Sequence, residues 1–121
     1  HNFNGALIGT GVPYRSSQQP FIKAYMQCLE HFATHGSGIR RGGSAALDLA
    51  YVAAGRMDAF WEHGLRPWDV AAGLLLIQEA GGLIADFKGG NSCITTGNIV
   101  CCNPKLFKEL LKVVNTNLGH V

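Results

Sequence analysis

Two helix-length segments, residues 44–54 and 67–80, carry apolar side chains almost all round. A helix on a protein surface keeps one face polar, so a helix that does not is covered on both sides. A domain of 121 residues has little material to cover two such helices completely. A further domain or subunit is therefore expected against them. The neighbouring segments are short and strand-like: "MDAFWEHG" lies between the two helices, and "LIADF" and "NIVCC" follow them. Strands separated by helix-length segments specify an α/β layered domain, a mixed sheet with helices packed on it.

The rest of the chain fits that pattern. Ala6 to Gly9 is an apolar run closed by "GTGVP", a strand entering a turn. In "QQPFIKAYMQCLEHFATHG", Phe21, Ile22, Tyr25, Met26, Leu29, Phe32 and Ala33 recur at helical spacing, with Gly36 as the stop. "GIRRGG" is a brief strand. Ser44 is placed to cap the helix that ends at Gly55. Pro67 falls in the first turn of a helix running to about Ala80, with Gly81 and Gly82 after it. Asn103-Pro104 opens a terminal helix with Leu106, Phe107, Leu110, Leu111 and Val114 on its apolar face.

Composition excludes several classes. At 47% hydrophobic and 15% charged residues, the chain is globular rather than disordered. Ten basic and eight acidic residues leave a net charge of +2, which demands neither nucleic acid nor an anionic membrane. Arg40-Arg41 lacks interleaved aromatics, so direct nucleic-acid binding is not expected. The longest apolar run, Val70 to Ile77, falls far short of the ~20 residues that span a bilayer. Cys28, Cys93, Cys101 and Cys102 show no CxxC spacing, which reads as four reduced thiols in a cytoplasmic protein without a zinc site. Cys101 and Cys102 are adjacent, so on a strand they point to opposite faces. No signal peptide is visible, and the start at His1 without methionine reads as a fragment or processed piece.

The aspartates are Asp48, Asp58, Asp69 and Asp86. Asp58 and Asp86 lie near strand ends and read as solvated or turn residues. Asp48 lies within a helix, hydrogen-bonded or half-exposed. Asp69, in "WEHGLRPWDVAAG", is set in an apolar stretch within the first helical turn after Pro67. One reading satisfies its carboxylate with free backbone N–H groups and the helix dipole. The other makes it a ligand for a hard cation such as Mg²⁺, which takes one or two carboxylates with phosphate oxygens and water. Glu62, seven residues earlier at the end of the preceding strand, faces the same sheet edge, where ligands of open α/β sheets bind.

"WDVAAGLLLIQEAGG", residues 68–82, resembles the C-terminal signature of the inositol monophosphatase family. The match extends through "RRGGSAALDLAYVAAGRMDAFWEHGLRPWD" upstream, and through "ADFKGG" and "TGNIVCCNP" downstream. It covers the whole chain as the C-terminal half of such an enzyme, with bacterial inositol-1-monophosphatases as the nearest type. The resemblance implies an α/β domain of an αβαβα sandwich and Mg²⁺-dependent hydrolysis of inositol monophosphate or a similar small sugar phosphate. Fructose bisphosphate and nucleotide phosphates are the alternatives within the same superfamily. It implies Asp69 as a Mg²⁺ ligand, Glu62 as a partner of inositol hydroxyls, and Gly43, Ser44 and Ala45 as the pocket wall. It also implies a cytoplasmic homodimer, and for bacterial members a partner in the transcription and ribosome-assembly machinery.

One departure limits the resemblance. The family's other metal ligands belong to an N-terminal half with a Glu-containing motif and an Asp-Pro-x-Asp-Gly-Thr motif. No aspartate here is followed by proline, so that metal-binding domain is absent and the chain resembles half an active site.

The remaining signals are weaker. His31 and His35 at i, i+4 fit a chelating pair less well than cationic or solvated histidines at a helix C-terminus. "GTG" at residues 9–11 reads as a turn rather than a phosphate loop. Arg40 is a structural or dimer-contact candidate. Tyr25, Phe32 and Trp61 read as core or interface aromatics.

Overall fold

A computed structural model describes residues 5–11 and 20–119. Within them run β1 (Leu7–Thr10), α1 (Ile22–Thr34), β2 (Gly38–Arg40), α2 (Ala45–Ala53), β3 (Ala59–Glu62), α3 (Pro67–Glu79), β4 (Leu83–Ala85), α4 (Cys93–Thr96), β5 (Ile99–Cys102) and α5 (Pro104–Leu118). The strands form one mixed sheet in the order β2-β1-β3-β5-β4. β1 pairs in parallel with both β2 and β3, while β5 is antiparallel to β3 and β4. The α/β architecture expected from the alternation of segments is the one observed. The turn read at "GTGVP" and the approach to α1 at "QQ" fall largely outside the described residues.

Period-two alternation divides the core between the two sheet faces. Ala59 and Trp61 of β3, with Val100 and Cys102 of β5, pack against α1 and α5. Phe60, Ile99 and Cys101 turn to the other face and meet Leu49, Val52, Val70 and Ile77 of α2 and α3. Cys101 and Cys102 thus point oppositely, as adjacency on a strand requires. All four thiols are buried. Burial pushes those of Cys28 and Cys102 up to about 12.

The helix ends follow their punctuation. Ser44 caps α2, its Oγ accepting from the Leu47 N–H. Gly36, Gly55 and Gly81 follow α1, α2 and α3 with positive φ, the conformation in which glycine alone avoids a Cβ penalty. Two details of α1 differ from expectation. Met26 is 54% exposed and Ala33 is exposed, while Cys28 joins Tyr25 and Phe32 in the core. The buried stripe is narrower than the run of apolar letters. The one-turn helix α4 carries no amphipathic period and was not legible.

α2 and α3 lie side by side on one sheet face. They bury Leu49, Val52, Val70 and Ile77 inward but leave Leu47, Trp68, Leu75 and Leu76 exposed outward, Trp68 at 72%. That outer face is the uncovered side expected of helices apolar all round. The two helices approach closely where Gly73 meets the Leu49 side chain, because a Cβ on Gly73 would collide with it. Gly73→Ala adds helix propensity of about 1 kcal/mol, but overpacking a tight contact costs about 1–3 kcal/mol. The variant is expected to unfold at lower urea concentration than the parent, and a higher midpoint would show that the α2–α3 contact has room to spare.

Candidate functional site

Three parallel strands end at one edge of the sheet. β1 runs out into Gly11, β2 into residues 41–43 and β3 at Glu62. Because β5 is antiparallel, it begins at this same edge, with Ile99 paired to Glu62. α2 starts here at Ala45 and α3 at Pro67. Glu62, Asp69, Gly43, Ser44 and Ala45, the sequence candidates, therefore all fall on the rim outside the strand carboxyl ends, where open α/β sheets bind ligands.

Each position has a local cause. Glu62 is half-buried and lies close to Gly11, where any Cβ would strike its carboxylate. Gly43 takes a φ of +81°, which turns the chain from β2 into the α2 cap. Asp69 is half-buried in the first turn of α3, its own N–H bonded to the Arg66 carbonyl at 3.0 Å. No side chain caps α3, and among the described residues no hydrogen bond reaches the Asp69 carboxylate. The reading in which backbone N–H groups satisfy it is not what the geometry shows. The carboxylate stays available at the positive end of a helix dipole.

The other carboxylates match their sequence readings only in part, Asp86 as a turn residue rather than a solvated one. Asp86 is 8% exposed rather than solvated, and takes the N–H groups of Lys88, Gly90 and Ser92 at 2.9–3.1 Å. Burial opposes its ionisation, but those three bonds and the Lys88 charge outweigh burial and hold it below the usual carboxylate range. It organises the turn after β4. Asp58 sits at the start of β3, at the opposite edge, and accepts from the Leu7 N–H at 2.8 Å. Asp48 was read as hydrogen-bonded or half-exposed, but it is 2% exposed in the first turn of α2, and a Cβ on Gly42 would meet its Oδ1. Burial raises its pKa, only partly offset by the Arg40 charge.

His31 and His35 form no metal cluster with a third His, Cys, Asp or Glu side chain among the described residues. Their rings stack at 4.2 Å, and His35 Nδ1 bonds the His31 carbonyl at 2.8 Å. Burial and the neighbouring His35 push the His31 pKa down, which opposes a cationic role. Arg40 lies 5.0 Å over the Tyr51 ring. Tyr25, Phe32 and Trp61 are core aromatics on the α1 face, as read.

The donor chemistry fits Mg²⁺ only in part. Asp69 offers a hard carboxylate oxygen, but among the described residues no group of three or more His, Cys, Asp or Glu side chains could hold a metal. This rim can furnish one corner of a metal site together with hydroxyl-binding groups. Sequence reasoning missed Asn98. It is buried at the head of β5, where its Oδ1 meets both His63 and Gly64 in the loop between Glu62 and α3.

Helices on both faces of the mixed sheet make this a three-layer α/β/α domain. The chain belongs to the inositol monophosphatase family, whose model matches residues 1–118. It is 50% identical over 117 residues to the Nus factor SuhB of Pseudomonas aeruginosa, and 48% identical over 118 residues to that of Escherichia coli strain K12. These matches cover 97% and 98% of the chain but 43% of each relative, so the chain spans less than half their length. Among solved structures, the suhB extragenic suppressor protein of Bartonella henselae superposes with a TM-score of 0.87 at 41% identity, covering 97% of this chain and 44% of that one. An inositol monophosphatase from Anabaena gives 0.83 at 36% identity, covering 99% and 50%. The described residues contain no helix long and apolar enough to cross a membrane.

Asp48 yields a pH prediction. A carboxyl whose folded pKa is raised above its unfolded value of 3.8 binds its proton more readily when folded. Its ionised form therefore detracts from stability at neutral pH, and that deficit fades as pH falls through the folded pKa. Asp48→Asn is expected to raise the thermal midpoint at pH 7 and to lose most of that advantage near pH 4. A lower midpoint at pH 7 would mean that the Arg40 charge outweighs burial.

Proposed function

We propose that the chain is the sugar-binding half of a Mg²⁺-dependent phosphatase acting on inositol monophosphate or a similar small sugar phosphate. The observation that carries the reading is Asp69. It is a half-buried carboxylate without a hydrogen bond among the described residues, on the same rim as Glu62 and within a chain matched by the family model. In this reading Asp69 binds Mg²⁺ and Glu62 accepts hydrogen bonds from ring hydroxyls. Gly43, Ser44 and Ala45 wall the pocket, their small side chains letting the backbone approach a polyol. The first-turn N–H groups of α2 and α3 favour an anionic ligand. When bound, Mg²⁺ supplies positive charge for the phosphoryl oxygens and an activated water. In this reading the other metal ligands come from the remainder of a longer protein, since the chain spans 43% of such a relative. Fructose bisphosphate and nucleotide phosphates remain substrate alternatives within the superfamily.

A second reading has its own support. Relatives near 50% identity bear the name Nus factor, which favours a binding role in the transcription and ribosome-assembly machinery; a cytoplasmic homodimer is part of the same proposal. Asp69→Asn separates the two readings in a full-length protein carrying this segment. The substitution keeps volume and removes the charge that attracts Mg²⁺. Turnover is expected to fall at least 100-fold, on the order of ~3 kcal/mol, while the fold and capture of transcription partners persist. Unchanged turnover with unchanged Mg²⁺ dependence would remove Asp69 from the metal site.

The 121-residue chain alone has a different expectation. One carboxylate does not hold two ions at the spacing of an in-line displacement, and the outer face of α2 and α3 is apolar and exposed. The purified chain is expected to release no phosphate above background at millimolar Mg²⁺ and to sediment as a dimer or larger species. Turnover near that of a full-length relative, or a compact 13.0 kDa monomer at micromolar concentration, would overturn the corresponding half of this expectation.

A further inference from the structure

We propose that Asn98 is a positioning residue that fixes Glu62 and Asp69 relative to one another. Only residues 63–66 join the end of β3 to the start of α3, so any slack in that loop becomes displacement between the two carboxylates. Asn98 closes the loop from the side. Its Oδ1 lies 2.6 Å from His63 Nδ1 and accepts the Gly64 N–H at 3.1 Å. The Gly64 amide can only donate, so the shared atom is an acceptor oxygen and His63 carries its proton on Nδ1. The Leu65 N–H donates to the Gly97 carbonyl at 2.8 Å. Three consecutive loop residues are therefore held by two residues some 34 positions away in sequence.

The holding segment is itself fixed. The Asn98 N–H donates to Thr96 Oγ1 at 3.1 Å, and that hydroxyl donates to the Ser92 carbonyl at 2.9 Å. Gly97 has a φ of +73° and lies so close to the loop that a Cβ would collide with the Leu65 carbonyl. Asn98 is 4% exposed, so its acceptor is shielded from water and an apolar replacement would remove the oxygen that the Gly64 N–H and His63 share. The next residue, Ile99, pairs with Glu62 in the sheet. One dipeptide, Asn98-Ile99, thus grips both the end of β3 and the loop that leads to Asp69.

The catalytic consequence rests on the roles proposed above for Glu62 and Asp69, whereas the clamp itself does not. Both are tested in a full-length protein carrying this segment. Asn98→Leu keeps the volume and removes the acceptor, while Asn98→Asp keeps acceptor oxygens. Amide hydrogen exchange over residues 63–66 is expected to quicken at least 10-fold in Asn98→Leu and to stay near the parent in Asn98→Asp. The Leu variant is also expected to raise KM and the Mg²⁺ concentration for half-maximal rate, with kcat/KM falling on the order of 100-fold for an ångström-scale misplacement. Asn98→Asp is expected to restore most of this. Unchanged exchange in Asn98→Leu overturns the clamp. Faster exchange with KM and Mg²⁺ dependence unchanged overturns the positioning role. Should Asn98→Leu not fold, Asn98→Asp decides: retained protection and KM support the clamp, and their loss overturns it. A parent protein without Mg²⁺-dependent turnover would instead sink the functional reading and leave the exchange result to judge the clamp.

Discussion

The pairing of Glu62 with Ile99 joins the sheet to the rim. β3 is central, paired to β1 on one side and β5 on the other, and its first three residues are fully buried. A one-residue slip in its pairing with β5 would move Trp61 and Phe60 each to the wrong face. Trp61 fills space against Tyr25 and Phe32 on the α1 side, with ring centroids 5.1 and 6.2 Å away, and Phe60 serves the α2–α3 side. The faces are not interchangeable, so the register is determined by packing. The same register carries Glu62 to the edge beside Gly11 and brings Asn98 level with the loop that follows. Packing in the core thereby places the polar groups of the rim.

The second constraint is the apolar character of α2 and α3. Their inner faces complete one core, while Leu47, Trp68, Leu75 and Leu76 remain exposed. Four large apolar side chains exposed on two adjacent helices are the kind of surface that a partner or a further layer covers. The chain spans 43% of relatives with which it shares about half its residues. A further layer supplied by the remainder of such a protein, as in a five-layer αβαβα sandwich, is the proposal that best accounts for a helix layer apolar on both sides.

Much of the architecture was legible because its signals are local. Ser44, Gly36, Gly55 and Pro67 mark helix ends within a turn of where they act, and the alternation in "AFWE" and "IVCC" assigns sheet faces residue by residue. The order of strands was not legible, since β1 sits between β2 and β3 through pairings that no local pattern encodes. The carboxylates show the same division. Asp69 was placed correctly on its helix by Pro67. Asp48 looks in sequence like any helical aspartate, and its burial arises only when the Gly42 loop folds over it. Asp86 is the turn residue that was one of its two readings, held by three amides that follow it within six residues in "DFKGGNS". Asn98 gave no such sign, because its partners lie across the sheet edge.

The two helix starts on the rim are finished differently, and the difference bears on what each can do. α2 is capped by Ser44, whose hydroxyl already takes the Leu47 N–H, so part of its donor capacity is turned inward. α3 begins with Arg66, whose side chain makes no cap, followed by Pro67, which has no N–H to offer. Asp69 stands in that first turn, favoured by the dipole yet not engaged by its donors. A carboxylate that capped its own helix would need to give up those bonds before binding a cation. One left uncommitted keeps its oxygens for an external partner, at little cost to the helix because proline has already removed one unsatisfied donor. The local grammar that starts α3 thus leaves Asp69 free for the metal-binding role proposed for it.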